Sequence, residues 1–288
     1  MRVRYCGREF SPEEIAWIRQ LIEESPETTR AALSRLVCER LQWRKPDGGL
    51  KEMSCRVAML RMQRDGVIRL PPSATGKRGG RWRIQRTLAG EPGFEISGSV
   101  GELDGLHVEV VRTRGESHLW NEYIDRYHYL GYKALPGAQL RYMIWGGEEV
   151  IGCLGFGAAA WKVACRDEWI GWRPEQRKER LHLIVNNARF LLLPWVRVQN
   201  LATKVLAIVV RQLPKDWEQR YAYRPVLLET FVEIERFRGT CYKAANWTYL
   251  GLTQGRGRND VHTLAQEPIK SVWAYPLARR FREILCAP

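Results

Sequence analysis

The chain has 288 residues, is 45% hydrophobic and 27% charged, and carries a formal net charge of +14, with Lys+Arg 46 against Asp+Glu 32. The apolar share supports a real core, and the length favours two domains over one. Such a surplus of positive charge points to a polyanion, and no apolar run approaches the roughly 20 residues needed to span a bilayer, which puts nucleic acid ahead of a membrane.

The opening MRVRYCGREF lacks an apolar signal core. The seven cysteines are odd in number, scattered and without a CxxC pair, which argues for reduced thiols in a cytoplasmic protein. The five histidines show no metal-ligand spacing, so no metal site is expected. In chain order, Ser11-Pro12-Glu13-Glu14 starts a helix, with a capping serine, a first-turn proline and a capping-box glutamate. Ile15, Ile18, Leu21 and Ile22 then recur at helical spacing. A second helix from about Thr28 carries Leu33, Leu36, Val37 and Leu41 on one face. A third, over about 50–64, carries Met53, Val57, Leu60 and Met62. A short strand over 67–70 and the basic loop ATGKRGGRWRI follow. Three helices and a strand–loop–strand form the pattern of a winged helix over 1–86, with the second and third helices as a helix-turn-helix. Lys51, Arg56, Arg61 and Arg64 are then candidate major-groove contacts, and Lys77, Arg78, Arg81 and Arg83 of the wing would lie along phosphates. Residues 87–105, rich in glycine, read as a linker.

From residue 106 strands and helices alternate. LHVEVV is a strand, 117–129 an aromatic helix, and QLRYMIW and VIGCLGF two strands joined by Gly146-Gly147 as a hairpin. LIVNNARFLLL is a further strand, Asn200 caps the helix LATKVLAIVVRQL, VLLETFVEI is a strand, and a last helix opens at Gly239-Thr240, leading to a basic C-terminal tail. This order predicts an α/β domain over 106–288, a mixed central sheet with helices on both faces. It is also the order of the GNAT acyltransferase fold, in which a hairpin is followed by a central strand, a helix, a strand and a helix.

Several residues stand out chemically. His128, between two tyrosines at a helix end, is a candidate general acid or base. Glu229 sits in an apolar strand with Leu227 and Phe231 on its face, so it reads as a partly buried general base. Tyr242 sits where many GNAT enzymes place a tyrosine that can donate a proton to the leaving group, so that likeness implies a proton donor, and Asn246 is a residue that reads a base or holds a backbone. Arg256 and Arg258 lie in the flexible basic segment Gly255-Arg256-Gly257-Arg258, suited to phosphates. Arg166, Asp167, Trp169, Trp172 and Arg189 crowd the middle of the domain, as core packing with ion pairs or as a pocket for an extruded base. Asp125, Asp167 and Glu229 form an alternative carboxylate set that would bind Mg²⁺ for DNA nicking.

The run of motifs HYLGY, LRY, GFGAAAW, WIGW, NARFLLLPWV, LETFV and GTCYKAANW resembles the DruA family, named after the Druantia anti-phage systems and found also in mobile-element contexts. A looser likeness, in the His-Tyr after the first helix, the Gly-rich hairpin strand and the Gly-x-x-Tyr-x-Ala-x-Asn-Trp end motif, runs to the phage Mom proteins, GNAT-like enzymes that modify adenine in DNA. These resemblances imply a GNAT-like domain that transfers a group to a nucleobase, with DNA and other defence-system or mobile-element subunits as partners. The alternatives are the Mg²⁺-dependent nuclease and a non-catalytic DNA-recognition subunit that recruits an effector. Coenzyme A fits the sequence poorly. GNAT enzymes hold its pyrophosphate with Gln/Arg-x-x-Gly-x-Gly/Ala at a helix start, and Arg197-Val198-Gln199-Asn200-Leu201-Ala202 has no glycine there.

Overall fold

The computed structural model describes residues 3–45, 48–72, 84–135, 137–256 and 267–288. The chain divides into unit 1, Met1–Trp82, and unit 2, Arg83–Pro288.

Unit 1 opens with a hairpin of β1 (Val3–Tyr5) and β2 (Arg8–Phe10), which the sequence pattern did not predict and which turns on Cys6 and Gly7, both at positive φ. Helices α1 (Pro12–Glu24), α2 (Arg30–Arg40) and α3 (Glu52–Arg64) follow. The Ser11–Glu14 capping box forms as expected. Ile15, Ile18 and Ile22 of α1 pack with Leu33 and Val37 of α2 and with Cys55, Met59 and Met62 of α3. The expected inner face of α3 is therefore corrected: Met53, Val57 and Leu60 are exposed, and Cys55, Ala58, Met59 and Met62 are buried. The helix has two apolar stripes, and packing on α2 selects the one that periodicity alone did not. Residues 67–70, expected as a strand, form none; Val67 lies in a bend, and Ile68 and Leu70 are buried against the helices. Lys77, Arg78, Arg81 and Arg83 of the expected wing lie outside the described residues.

In unit 2 the chain runs through β3 (Ile96–Ser99), β4 (His107–Val110), α4 (Arg114–Tyr127), β5 (Leu140–Gly146), β6 (Glu149–Ala158), α5 (Ala164–Ile170) and α6 (Pro174–Arg180). It continues through β7 (Ile184–Leu192), β8 (Val196–Gln199), α7 (Leu201–Tyr221), β9 (Leu227–Glu233), α8 (Thr240–Ala244), β10 (Thr248–Leu252), β11 (Lys270–Pro276) and α9 (Phe281–Leu285). Seven strands form one sheet in the order β10-β11-β9-β7-β6-β5-β4, in which β7 and β9 are parallel and every other neighbouring pair is antiparallel. Helices cover both faces. Arg141 of β5 reaches Asn121 and Ser117 of α4, at 2.9 Å each, while the next residue, Tyr142, points the other way and donates to Asp216 of α7 at 3.0 Å. The mixed sheet, its hairpin at 146–149 and its succession of elements agree with the sequence expectation.

Three segments differ. Residues 87–105, expected as a linker, are folded into unit 2: the buried Glu122 of α4 accepts from the backbone and hydroxyl of Thr87 at 2.8 Å each, Tyr127 donates to the Gly90 carbonyl, and β3 pairs with β8. Helix α7 runs through Pro214 to Tyr221, because Trp217 is buried and the Tyr221 hydroxyl binds both backbone groups of Gln139. The C-terminal tail supplies β11, which lies between β9 and β10 with Val272, Trp273 and Ala274 buried. Among the described residues no helix is long and apolar enough to cross a membrane.

Candidate functional site

The site arises where two parallel strands part. β7 and β9 pair only over Ile184–Asn187 and Leu227–Thr230. Beyond that, the register of β7 against β6 slips at Ala188, since Gly155 faces Arg189 while Phe156 faces Asn187. Such a bulge bends a strand and re-aims its side chains. Strand β9 stays bound to β11 up to Glu233, so β7 and β9 splay apart. The fork opens into a cavity of about 600 Å³ closed by the end of α4, the start of α7 and helix α8.

Tyr242 is placed on the cavity wall by a short helix. Gly239, at φ +70, turns the chain into α8; a Cβ there would meet the Trp273 ring at 2.9 Å. Trp247 then packs edge-on against Tyr242, with centroids 5.1 Å apart. The Tyr242 hydroxyl donates to Asn187 Oδ1 at 2.8 Å. The amide orientation follows from its other end, where Asn187 Nδ2 donates to the carbonyls of Arg189 and Gly155. Burial raises the Tyr242 pKa, so the phenol keeps its proton.

His128 ends α4, and its Nδ1 accepts the Leu130 N–H at 3.2 Å. Gly155 lets α4 approach the sheet, because a Cβ there would sit 2.9 Å from the Trp120 ring. Burial, helped by the Arg189 charge, lowers the His128 pKa to about 4. The ring is therefore neutral, and with Nδ1 accepting, Nε2 carries the hydrogen. Near neutral pH the ring therefore offers a hydrogen-bond donor at Nε2. An NMR titration of His128 is expected to show a midpoint near pH 4, and one near 6.5 would overturn the assignment. Because the folded pKa lies below the ordinary value of about 6.5, the unfolded chain takes up the proton first. Stability contributed here is full above pH 6.5 and is lost as the pH falls toward 4, and His128→Gln is expected to flatten that acid limb.

His128 and Tyr242 thus share the cavity, but Glu229 and Asn246 do not. Glu229 is corrected as a general base. It is fully buried away from the cavity lining, with Oε1 accepting from the Ala160 N–H at 2.8 Å and Oε2 from Arg166 at 2.7 Å. Its neighbour Thr230 points toward Tyr242 instead. Asn246, at φ +62, forms the turn after α8. Arg166 bridges Glu229 to Asp167, and Trp172 donates to Asp167, so of the central group only Arg189 lines the cavity. The alternative metal set does not assemble: Asp167 and Glu229 flank Arg166, and Asp125 accepts from the Tyr132 backbone. Among the described residues no group of three or more His, Cys, Asp or Glu stands ready to hold a metal ion.

Asn186, Asn187 and Thr230 line the site without having been predicted. The signal for the first two was a pair of adjacent amides inside the apolar run LIVNNARFLLL. Of the candidate DNA contacts, Lys51 precedes α3 without a side-chain capping bond, Arg56 is half-buried, and Arg61 and Arg256 are exposed; Arg258 lies outside the described residues. At the helix start the glycine that a coenzyme A cradle uses is absent, as in the sequence. Residues 196–199 are strand β8 rather than an open loop, and Asn200, not a glycine, takes the left-handed turn into α7.

The model of the family described as Druantia protein DruA matches residues 72–269. The chain belongs to the DruA family. That match spans the cavity residues of this DruA-family chain from His128 to Tyr242. No curated protein matches the sequence. Among solved structures, the chain is similar to an acetyltransferase from Bacillus subtilis in complex with CoA, at 9% identity and TM-score 0.35, over 60% of this chain and 99% of that one. It is similar also to the aminoglycoside acetyltransferase AAC(6')-Ib in complex with coenzyme A, at 16% identity and TM-score 0.40, over 62% and 98%. A third is an N-acetyltransferase from Staphylococcus aureus Mu50, at 8% identity and TM-score 0.34, over 60% and 97%.

Proposed function

We propose that unit 2 is a GNAT-like group-transfer domain that modifies a nucleobase in DNA, in the setting of anti-phage defence, and that unit 1 contributes DNA affinity. The observation that carries this reading is the Tyr242–Asn187 pair at the fork of β7 and β9, on the wall of a cavity large enough for a nucleotide. The net charge of +14 and the basic residues of α3 support a nucleic-acid partner.

The chemistry follows from the pair. An N–H of the acceptor base attacks the transferred group, the new bond to nitrogen forms, and the bond to the leaving group breaks. Tyr242 gives its proton to the leaving group and regains one from the acceptor nitrogen, so no net proton is gained or lost. Asn187 Oδ1 holds the hydroxyl before and after the transfer, and during it the O–H turns from Asn187 to the leaving group. Among the described residues the cavity lining contains no carboxylate, and Tyr242 is the group to which this reading gives the proton transfer.

The test is mass spectrometry of nucleosides from DNA of cells that express the full chain. A new nucleoside mass that disappears with Tyr242→Phe is the expected result; unchanged nucleosides in susceptible DNA would reject the reading. Binding of the full chain to DNA is expected to weaken steeply with salt, through release of counterions from phosphates, and an affinity indifferent to ionic strength would reject the DNA partner.

A further inference from the structure

We propose that the cavity contains an oxyanion subsite built on Arg189, which takes a phosphate of the nucleotide that carries the acceptor base. This rests on the nucleic-acid reading above and names the group that anchors the acceptor.

Arg189 is 9% exposed, yet it lacks the partners a buried guanidinium needs. Its Nη1 donates to the neighbouring Ala188 carbonyl at 2.7 Å, its Nε is buried with no partner, and among the described residues no carboxylate pairs with it. Arg166, also deeply buried, shows what satisfaction looks like: four hydrogen bonds to two carboxylates and a carbonyl, together with Glu229 as its counter-ion. A buried charge without a counter-ion is costly, and a bound anion would offset that cost. A planar guanidinium with free donors matches the oxygens of a phosphate or carboxylate.

Three further features point the same way. Among the described residues, the charged groups that line the cavity are all cations, Arg189, Arg238 and Lys270. His128, whose pKa is lowered in part by the Arg189 charge, lies within electrostatic reach and presents its Nε2–H as another donor. At the mouth, the exposed rings of Tyr129 and Phe237 stand 5.3 Å apart, and the Arg236 guanidinium lies 5.3 Å from the Tyr129 centroid. Exposed aromatic rings beside arginines suit a base and its backbone better than a small carboxylic acid. Asn186, whose buried Oδ1 has no partner, supplies an acceptor for an N–H of the same ligand.

The experiment compares binding of 5′-mononucleotides and the matching nucleosides to the full chain by calorimetry, with inorganic phosphate, acetate and coenzyme A as further ligands. Mononucleotides are expected to bind at least ~10-fold more tightly than nucleosides, the worth of a hydrogen bond to a charged group. Arg189→Gln is expected to erase that difference, Arg189→Lys to keep part of it, and Arg211→Gln, an exposed charge outside the cavity, to leave it unchanged. Equal binding of nucleotides and nucleosides, or no binding of either, overturns the subsite; the wild-type ratio decides this point even if an Arg189 variant fails to fold. Discrimination that survives Arg189→Gln overturns it too. Arg189-dependent binding of acetate or phosphate as tight as that of nucleotides reassigns the site to a free anion, and Arg189-dependent binding of coenzyme A without nucleotide binding reassigns it to the donor. The two proposals fail separately: an Arg189-dependent phosphate preference without modified nucleosides removes group transfer alone, and modified nucleosides without that preference remove the subsite alone.

Discussion

Arg166→Met is expected to destabilise unit 2 by about 3–5 kcal/mol, the range for breaking a buried ion pair from one side. Arg166 is fully buried and holds Glu229, itself fully buried, at 2.7 Å. Removing the guanidinium leaves the Glu229 carboxylate with the Ala160 N–H as its remaining contact, and strips Asp167 of two of its hydrogen bonds. A carboxylate left desolvated and unpaired must either bear that cost or take up a proton. For a domain of roughly 150–250 residues this lowers the melting temperature by on the order of 10 °C. The double variant Arg166→Met/Glu229→Met is expected to lose clearly less than the sum of the single variants, because a buried pair replaced by apolar groups leaves no orphaned charge. Thermal melts of the four proteins measure the coupling, and additive losses would show that the pair acts independently. Glu229→Gln is expected to act on stability and not on chemistry, since Glu229 does not line the cavity.

Tyr242→Phe is the complementary case. Its expected effect is a loss of ~10²–10⁴-fold in the rate of group transfer, the usual range for a positioned proton donor. The stability cost is smaller, about 1–3 kcal/mol, because the ring remains packed on Trp247 while Asn187 Oδ1 loses its partner. Asn187→Asp is expected to retain a hydrogen-bond acceptor for Tyr242 but to weaken transfer through an added buried charge. Rates of nucleoside modification measured beside thermal melts separate the two effects. A Tyr242→Phe protein that folds and transfers at the wild-type rate would remove Tyr242 from the chemistry.

The contrast between these two residues shows how far local pattern reaches. Alternation in VLLETFVEI placed Glu229 and Thr230 on opposite faces of a strand, and the structure agrees. Pattern alone did not say which face meets the cavity. The partner that neutralises Glu229, Arg166, lies 63 positions away in sequence. Tyr242 stood out through the likeness to GNAT enzymes, and the glycine that starts its helix and the tryptophan that packs on it were both visible in the sequence. Asn187 did not stand out, because a one-residue bulge at Ala188 sets where its amide points, and no periodicity announces a bulge. The same limit applied to α3, where two apolar stripes competed for the core, and to Pro214, which a helix of its own would have avoided.

By itself the sequence determined the large positive charge, the helical character of the N-terminal segment, the strands and helices that build the mixed sheet, and the motifs that mark the family. These are properties of composition and short-range spacing, which each segment carries without its neighbours. The tertiary structure alone decided that β7 and β9 part after four paired residues, that His128, Arg189 and Tyr242 meet in the gap, and that Glu229 is held by Arg166. Those outcomes depend on contacts between residues far apart in the chain, and the free energy of burying a charge or opening a fork exists only once the partners are brought together.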